Sequence, residues 1–255
     1  MSFLALTPSG RKLSGLWSEL ARGDGGEQFD PAAVNGLPAP ARRFLLRSIA
    51  PGTPLARSVE LEMHGTLLLS PDRPPLPMRA HQILAPPDGF IWRARATRGL
   101  AQIRGFDRFG HGEGEMRWKL WGLIPVMRSS GDDVTRSAAG RLALEAVVLP
   151  SALVPGRGAE WEGVDDERVR FRMKVGEERV VATLEVDPEG RPTRVSGMRW
   201  SDQAGPGYDL FVAEFSGEIA VDGYTIPSRL EAGWRLGQPD EFRFFEATLD
   251  RATFR

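Results

Sequence analysis

Hydrophobic and polar residues alternate with a period of two along most of the chain from Arg57 onward. Val59, Leu61 and Met63, for example, are separated by Glu60 and Glu62. This alternation is typical of strands that bury one face. Short turn signals separate the runs, and short connections favour antiparallel neighbours. The pattern predicts a mainly β (α+β) fold: a single curved antiparallel sheet or half-barrel of about ten or eleven strands.

Residues 131–149, just before Pro150, interrupt the strand pattern with helical periodicity. Asp132 or Asp133 can cap this helix. We therefore expect one central helix with the sheet wrapped around it. At 100° per residue, one arc of the helix is apolar and contains Val134, Ala138, Leu142, Ala146 and Leu149.

The apolar arc of this helix also carries Glu145, with Arg141 close beside it. An arginine four residues before a glutamate is the less favourable order along a helix, so local pairing does not explain the two positions. We expect these two charged residues to have partners on the sheet. Asp107 is a candidate, because the alternation along its strand places its side chain on the inward face. The charges either form a structural ion-pair network or hold the polar end of a ligand.

The first fifty residues have helical rather than strand patterns. Thr7 can cap a helix with Pro8 in its first turn, and a second short helix fits residues 38–49. We expect residues 1–50 to form a helical segment packed on a β domain of residues 51–255. The first helix has an apolar stripe of Leu13, Leu16, Trp17 and Leu20.

Composition narrows the function classes. The 255 residues are 41% hydrophobic and 26% charged, with a net charge of -1 and no cysteine. These values are typical of a globular protein, give no overall basic character for nucleic-acid binding, and exclude thiol chemistry. No apolar stretch is long enough to span a bilayer, and the apolar run at the N-terminus is too short for a signal peptide. The sequence therefore predicts a cytoplasmic protein.

Familiar catalytic and cofactor motifs are missing. His64, His81 and His111 lack metal-ligand spacing, and the glycines at 110, 112 and 114 do not lead from a strand into a helix. We therefore expect neither a metal nor a cofactor.

Carboxylates are the remaining route to catalysis, because a pair in an apolar cavity can act as acid and base. The alternation of side chains along each strand predicts that Asp107 and Glu246 face inward and that Glu231 faces solvent. Glu115 and Glu145 complete this set of acids.

Large aromatic residues share faces of several strands and either line a cavity or fill the core. Phe90 and Trp92 share one face, Met116 and Trp118 another. A wide sheet around one helix often leaves space for a small ligand. Arg117 is a weaker candidate for ligand binding, because it points to the opposite face of the strand from Trp118. The candidate ligand-binding residues are Trp92, Asp107, Arg141, Glu145, Arg199 and Trp234.

Five segments of the chain form a combined pattern. They are Leu37 to Phe44, Gly89 to Arg95, Asp107 with Gly112 to Gly114, Arg141 to Glu145, and Gly223 with Ile226, Pro227 and Trp234. Together they resemble an uncharacterised bacterial family of domains of unknown function, over roughly residues 37–250. That family is similar in architecture to lipoprotein-carrier and lipoprotein-receptor half-barrels, so the resemblance implies a hydrophobic cavity with helices over it.

Three functional hypotheses follow. The first is non-catalytic binding of an apolar or amphipathic, lipid-like small molecule in the cavity. The second is an enzyme that uses inward carboxylates. The third is a scaffold with a packed interior whose partners meet its outer surface.

Overall fold

The computed structural model describes residues 8–23, 26–202 and 205–255. Thr7, the expected cap of the first helix, lies outside the described residues. The helices are α1 (Pro8–Leu20), α2 (Ala39–Ser48) and α3 (Asp132–Leu144), with short 3-10 helices at Pro31–Val34, Glu145–Val148 and Pro150–Leu153. Among the described residues, no helix has the length and apolar character needed to cross a membrane.

Thirteen described strands form one sheet in the order β6-β5-β4-β3-β2-β1-β13-β12-β11-β10-β9-β8-β7. The neighbouring strands are antiparallel, so the predicted fold class is confirmed, with more strands than expected. The strands are β1 (Val59–Leu67), β2 (Leu76–Ala85), β3 (Gly89–Arg98), β4 (Ala101–Gly110), β5 (Glu113–Leu120), β6 (Ile124–Ser130), β7 (Ala159–Gly163), β8 (Arg168–Val175), β9 (Glu178–Val186), β10 (Pro192–Ser201), β11 (Gly207–Val221), β12 (Tyr224–Trp234) and β13 (Phe242–Phe254).

Two of these strands lack the alternation of hydrophobic and polar residues from which strands were predicted. β7 has five residues, too few for a clear alternation, and β6 is exposed on both faces, so its sequence has no buried side. Both are edge strands, where only one neighbour supplies hydrogen bonds.

Helix α3 lies in the curve of the sheet and contacts both of its arms, β4 to β6 on one side and β8 to β10 on the other. Glycines allow this close approach. A Cβ at Gly114 on β5 would lie 2.7 Å from the carbonyl oxygen of Val134, and a Cβ at Gly197 on β10 would lie 3.1 Å from Leu144. The expected position of the helix is therefore correct.

The α-helix ends at Leu144 and not at residue 149. The chain tightens into a 3-10 turn over Glu145–Val148, and the N–H of Glu145 donates to the carbonyl of Arg141. Pro150 has no N–H to continue the helix. At the other end, Gly131 takes the N-cap position at φ 105°, so Asp132 and Asp133 lie in the first turn and do not cap.

The two faces of the sheet are covered differently. On the convex face, α1 places Leu13, Leu16 and Leu20 in one apolar cluster with Ile83 and Ile91. On the concave face, α2, α3 and the 3-10 segments pack into the main core. Further apolar residues of this face are only partly buried, and these include Leu67, Leu76, Trp118, Phe215, Leu230, Phe242, Phe244 and Phe245.

Candidate functional site

Arg141 of α3 forms the centre of a polar cluster on the concave face. Its Nε donates to Glu145 Oε1 at 2.7 Å, and its Nη1 donates to Asp107 Oδ2 on β4 at 3.0 Å. Trp118 Nε1 donates to the other oxygen of Asp107 at 3.0 Å, and Gln82 Nε2 donates to the other oxygen of Glu145 at 2.5 Å. These five residues, the charge cluster, join α3 to β2, β4 and β5.

Local sequence explains why Trp118 reaches Asp107. Gly105 faces Trp118 across the β4–β5 pair, and a Cβ at Gly105 would collide with the indole ring. Without a side chain there, the ring lies flat over β4 and its N–H meets the carboxylate two residues along.

Burial dominates the electrostatics of the charge cluster. Loss of hydration raises the pKa of the Asp107 carboxyl, although Arg141 and the Trp118 hydrogen bond act in the opposite direction. Burial also opposes the charge of Arg141, but Glu145 and Asp107 outweigh it and raise the pKa of the guanidinium. The cation on Arg141 is therefore retained, whereas burial favours the neutral form of Asp107.

A second guanidinium on the same face has a different environment. Arg199 of β10 donates through Nε to the carbonyl of Ser137 on α3 at 2.9 Å, and among the described residues it has no ion-pair partner. Asp209, opposite in register, pairs with Arg235 instead. Burial, followed by repulsion from Arg141, lowers the pKa of Arg199 to about 10.

Gly140 allows the side chain of Arg199 to reach the concave side of the sheet. A Cβ at Gly140 of α3 would lie 3.1 Å from Cγ of Arg199, so the aliphatic stem passes directly over this residue. The guanidinium then stacks on two rings, 5.0 Å from the centroid of Phe211 and 5.5 Å from that of Trp234.

Aromatic rings continue away from Arg199 over neighbouring strands. Phe211 lies 5.4 Å from Trp234 and 6.2 Å from Phe244, and Phe242 lies 6.0 Å from Phe244. Phe242 and Phe244 are half-buried. We call these four residues the aromatic floor. It is an apolar surface with a cation at one end.

All six candidate residues lie on the concave face near α3. Asp107, Arg141 and Glu145 are in direct contact, and Arg141 lies 5.2 Å from the ring centroid of Trp92. Arg199 and Trp234 form the second group. Their role in ligand binding stays a prediction.

Gln82 is the functional candidate that sequence reasoning missed. It has the inward parity of Ala80 and Leu84 and is buried. A polar residue among inward apolar positions of β2 was the available signal.

The geometry agrees with what was expected of Arg141 and Glu145. The two side chains bond to each other, but this local pair is not their only contact. The expected partners on the sheet are also present, since Asp107 and Gln82 contact the pair. Burial makes the direct contact valuable even in the less favourable order.

Two further acids do not join the site. Glu246 is exposed and lies near Thr66, so its inward assignment was wrong. The register shifts in the β12–β13 pair between Ala232 and Gly233, and this bulge reverses the parity counted from Phe242 and Phe244. Glu115 binds Arg108 and Arg117, which places Arg117 outside the site.

A cavity of about 420 Å³ occurs beside α1 and the β4–β5 turn, away from the predicted site residues. Its walls are mixed and include Leu16, Glu19, Phe109 and His111. On the concave side, the aromatic floor and neighbouring apolar residues such as Leu230 and Phe245 are only partly buried, so part of this apolar face is accessible.

Sequence comparison identifies the family. The model of a family of unknown function, DUF6544, matches residues 27–247. The chain belongs to this family. The resemblance to a family of domains of unknown function is thereby confirmed. No curated protein matches the chain.

Three solved structures are similar to this DUF6544 protein at low identity. A LolA superfamily protein from Nitrosomonas europaea has 11% identity and TM-score 0.42, covering 85% of this chain and 92% of its own. A putative outer membrane lipoprotein-sorting protein domain from Vibrio parahaemolyticus has 11% identity, TM-score 0.43 and coverages of 78% and 85%. A DUF1329 family protein from Desulfovibrio piger has 10% identity, TM-score 0.44 and coverages of 78% and 86%.

These similarities concern the fold. They also correct the predicted location: the expectation of a cytoplasmic protein is wrong against these comparisons, since one of the similar structures is described as an outer membrane lipoprotein-sorting protein domain. The expectation rested on the short apolar run at the N-terminus and on the lack of a membrane-length apolar stretch.

Proposed function

We propose that the concave face binds an amphipathic molecule with an apolar chain and an anionic end. The observation that carries the proposal is the environment of Arg199. Its guanidinium lies at one end of the aromatic floor and has no carboxylate partner among the described residues.

The two arginines of this face differ in what they can offer a ligand. Arg141 already binds Asp107 and Glu145, so its charge is compensated in contact. Arg199 uses one N–H on the carbonyl of Ser137. Its terminal nitrogens suit a carboxylate or phosphate, which guanidinium groups bind through two parallel hydrogen bonds.

The aromatic floor supports the apolar half of the ligand. Phe242 and Phe244 are half-buried, as are Leu230 and Phe245 nearby. Covering such surface with an alkyl chain is favourable by roughly 25 cal/mol per Å². Trp92 adds a polar contact point, because its buried Nε1–H has no acceptor among the described residues and an unsatisfied buried donor is unfavourable.

In this proposal the carboxylates of the charge cluster position α3 and do not react. Asp107 and Glu145 both contact Arg141 and are close enough for paired acid-base chemistry. However, all four carboxylate oxygens accept hydrogen bonds, from Arg141, Trp118 and Gln82. Proton transfer from a substrate would require this cluster to open.

Titration with amphiphiles of one chain length tests the proposal. Displacement of a fluorescent fatty-acid analogue would compare dodecanoate, dodecanol and dodecyltrimethylammonium. We expect dodecanoate to bind most tightly and Arg199→Gln to weaken it by about ten-fold, through loss of a charge-assisted hydrogen-bond pair. Dodecanol should be little affected by the substitution.

Arg136→Gln is the matched control, since Arg136 is also on the α3 side but exposed. It should leave dodecanoate binding unchanged. Equal affinity for the three amphiphiles, or full dodecanoate binding in Arg199→Gln, would contradict the proposal. Native mass spectrometry of the purified protein would show whether an acidic lipid co-purifies.

A further inference from the structure

Four cations stand side by side across neighbouring strands on the convex face. Arg79 of β2 is opposite Arg95 of β3, Arg95 is opposite Arg104 of β4, and Arg104 is opposite Lys119 of β5. At about 4.8 Å between strands, this row is about 14 Å long. We call these residues the cation row.

The cation row is unfavourable for the isolated protein. Like charges directly opposite each other destabilise a sheet. None of the four residues forms an ion pair with a described residue, and residues 95–106 and 117–131 contain no Asp or Glu. Such an arrangement is explained by a partner that carries negative charge.

Exposed apolar residues lie at the adjoining edge of the same arm. The β3–β4 turn, the β5–β6 turn and the first residue of β6 present Leu100, Trp121, Leu123 and Ile124. Of these, Leu100 is 96% exposed and Leu123 79% exposed. We call these four residues the apolar edge.

Hydrogen bonds hold the two turns of the apolar edge together. Trp121 Nε1 donates to the carbonyl of Leu100 at 2.9 Å, and the backbone N–H of Trp121 donates to the carbonyl of Gln102 at 2.6 Å. The exposed leucines are therefore presented on a fixed platform and do not fold back onto the protein.

We infer that this arm docks on the surface of an anionic lipid bilayer, with the apolar edge in the interface and the cation row against the headgroups. Apolar side chains beside basic ones are the combination that binds such surfaces. Trp121 is suited to the position, because tryptophan favours the level of the headgroups.

Two other occupants fit less well. A second copy would place one cation row near another when the same edges meet. Strand addition at the edge strand β6 is hindered by Pro125, which has no N–H to donate. A nucleic acid would use the cations but gains nothing from leucines that are almost fully exposed.

Vesicle co-sedimentation tests the inference with the full chain. Vesicles of phosphatidylcholine alone would be compared with vesicles containing about 30% phosphatidylglycerol. We expect binding to the anionic vesicles, weakened by salt. The double variant Leu100→Asn, Leu123→Asn should bind at least about ten-fold more weakly, because both leucines leave the bilayer interface. Arg95→Gln, Arg104→Gln should lose about five-fold per charge.

Matched controls come from other surfaces of the chain. Leu46→Asn removes an exposed leucine of α2, and Lys174→Gln, Arg179→Gln removes two facing cations of β8 and β9. Neither should change vesicle binding. Because every substituted residue is on the surface, circular dichroism should show that no variant melts at a lower temperature than the wild type. Removal of the facing cations should raise the melting temperature slightly.

Three outcomes would overturn the inference. One is equal binding to neutral and anionic vesicles, or equal losses in the controls. Another is binding to single-stranded DNA with none to vesicles. The third is concentration-dependent dimerisation, abolished by the leucine substitutions, without vesicle binding. Arg199→Gln should keep vesicle binding, so failure of the proposed ligand site and failure of docking can be told apart.

Discussion

Arg141 of α3 and Asp107 of β4 are joined by a 3.0 Å hydrogen bond between Nη1 and Oδ2. This contact links the central helix to the β4–β6 arm of the sheet. Glu145 holds the same guanidinium from the end of the helix. A mostly buried arginine is thus compensated by two carboxylates, and its removal would leave both without a cation.

We expect Arg141→Met to lower the free energy of unfolding by about 3 kcal/mol. Breaking a buried ion pair by removing one partner typically costs about 3–5 kcal/mol. The lower end applies because Asp107 can take up a proton when its partner is lost. Urea unfolding at neutral pH measures the change.

Arg136→Met is the control for this substitution. Arg136 lies five residues earlier on α3 and is 41% exposed at its side chain, where it pairs with Asp133 and Glu178 and lies 5.2 Å from the ring centroid of Trp200. Exposed pairs contribute at most about 1 kcal/mol. Equal losses in the two variants would mean that the charge cluster is no more important than a surface pair.

The pH dependence of Asp107→Asn follows from the direction of the pKa shift. Burial raises the pKa of Asp107 in the folded protein. Its contribution to stability is therefore complete below the unfolded pKa and is lost as the pH rises through the folded value. Asparagine does not titrate, so the stability of the wild type relative to Asp107→Asn should fall with rising pH.

Urea unfolding of both proteins between about pH 4 and pH 8 tests this sign, since the range covers ordinary and raised carboxyl pKa values. The groups that titrate elsewhere are common to both proteins and cancel in the difference. A relative stability that rises with pH would show that Arg141 outweighs burial and holds the pKa of Asp107 below its ordinary value.

Strand parity predicted the inward position of Asp107 because β4 is regular between Ile103 and Phe109. The same reasoning failed at Glu246, where a bulge in the β12–β13 pair reverses the faces. A bulge adds a residue without changing the polarity pattern of the strand, so parity counting cannot detect it.

The central helix was also only partly predictable from the sequence. Its position and charged pair follow from periodicity, whereas its end at Leu144 depends on the 3-10 turns that precede Pro150. Gln82 was missed for another reason. Its partner Glu145 is 63 residues away, and no local pattern connects the two.

Gly140→Ala should affect ligand binding more than stability. The new Cβ would lie 3.1 Å from Cγ of Arg199 and move the guanidinium over the aromatic floor. Alanine favours the helix over glycine by about 1 kcal/mol, which offsets the local crowding. We expect stability within about 1 kcal/mol of the wild type and weaker dodecanoate binding.

Gly15→Ala on α1 is the matched helical control, because a Cβ there has no neighbour within 4 Å. It should raise stability by up to about 1 kcal/mol and leave dodecanoate binding unchanged. Unchanged binding in Gly140→Ala would indicate that the ligand does not depend on the position of Arg199.

Glu145→Gln separates a structural role from direct ligand contact. The glutamine keeps an acceptor for Arg141 or Gln82 but presents an NH2 group to the other donor, so one hydrogen bond is lost. Because Glu145 is partly exposed, we expect a loss of about 1–2 kcal/mol in the free energy of unfolding. Dodecanoate affinity should change less than about two-fold, since the proposed anchor is Arg199. A large loss of affinity with unchanged stability would instead place Glu145 in contact with the ligand.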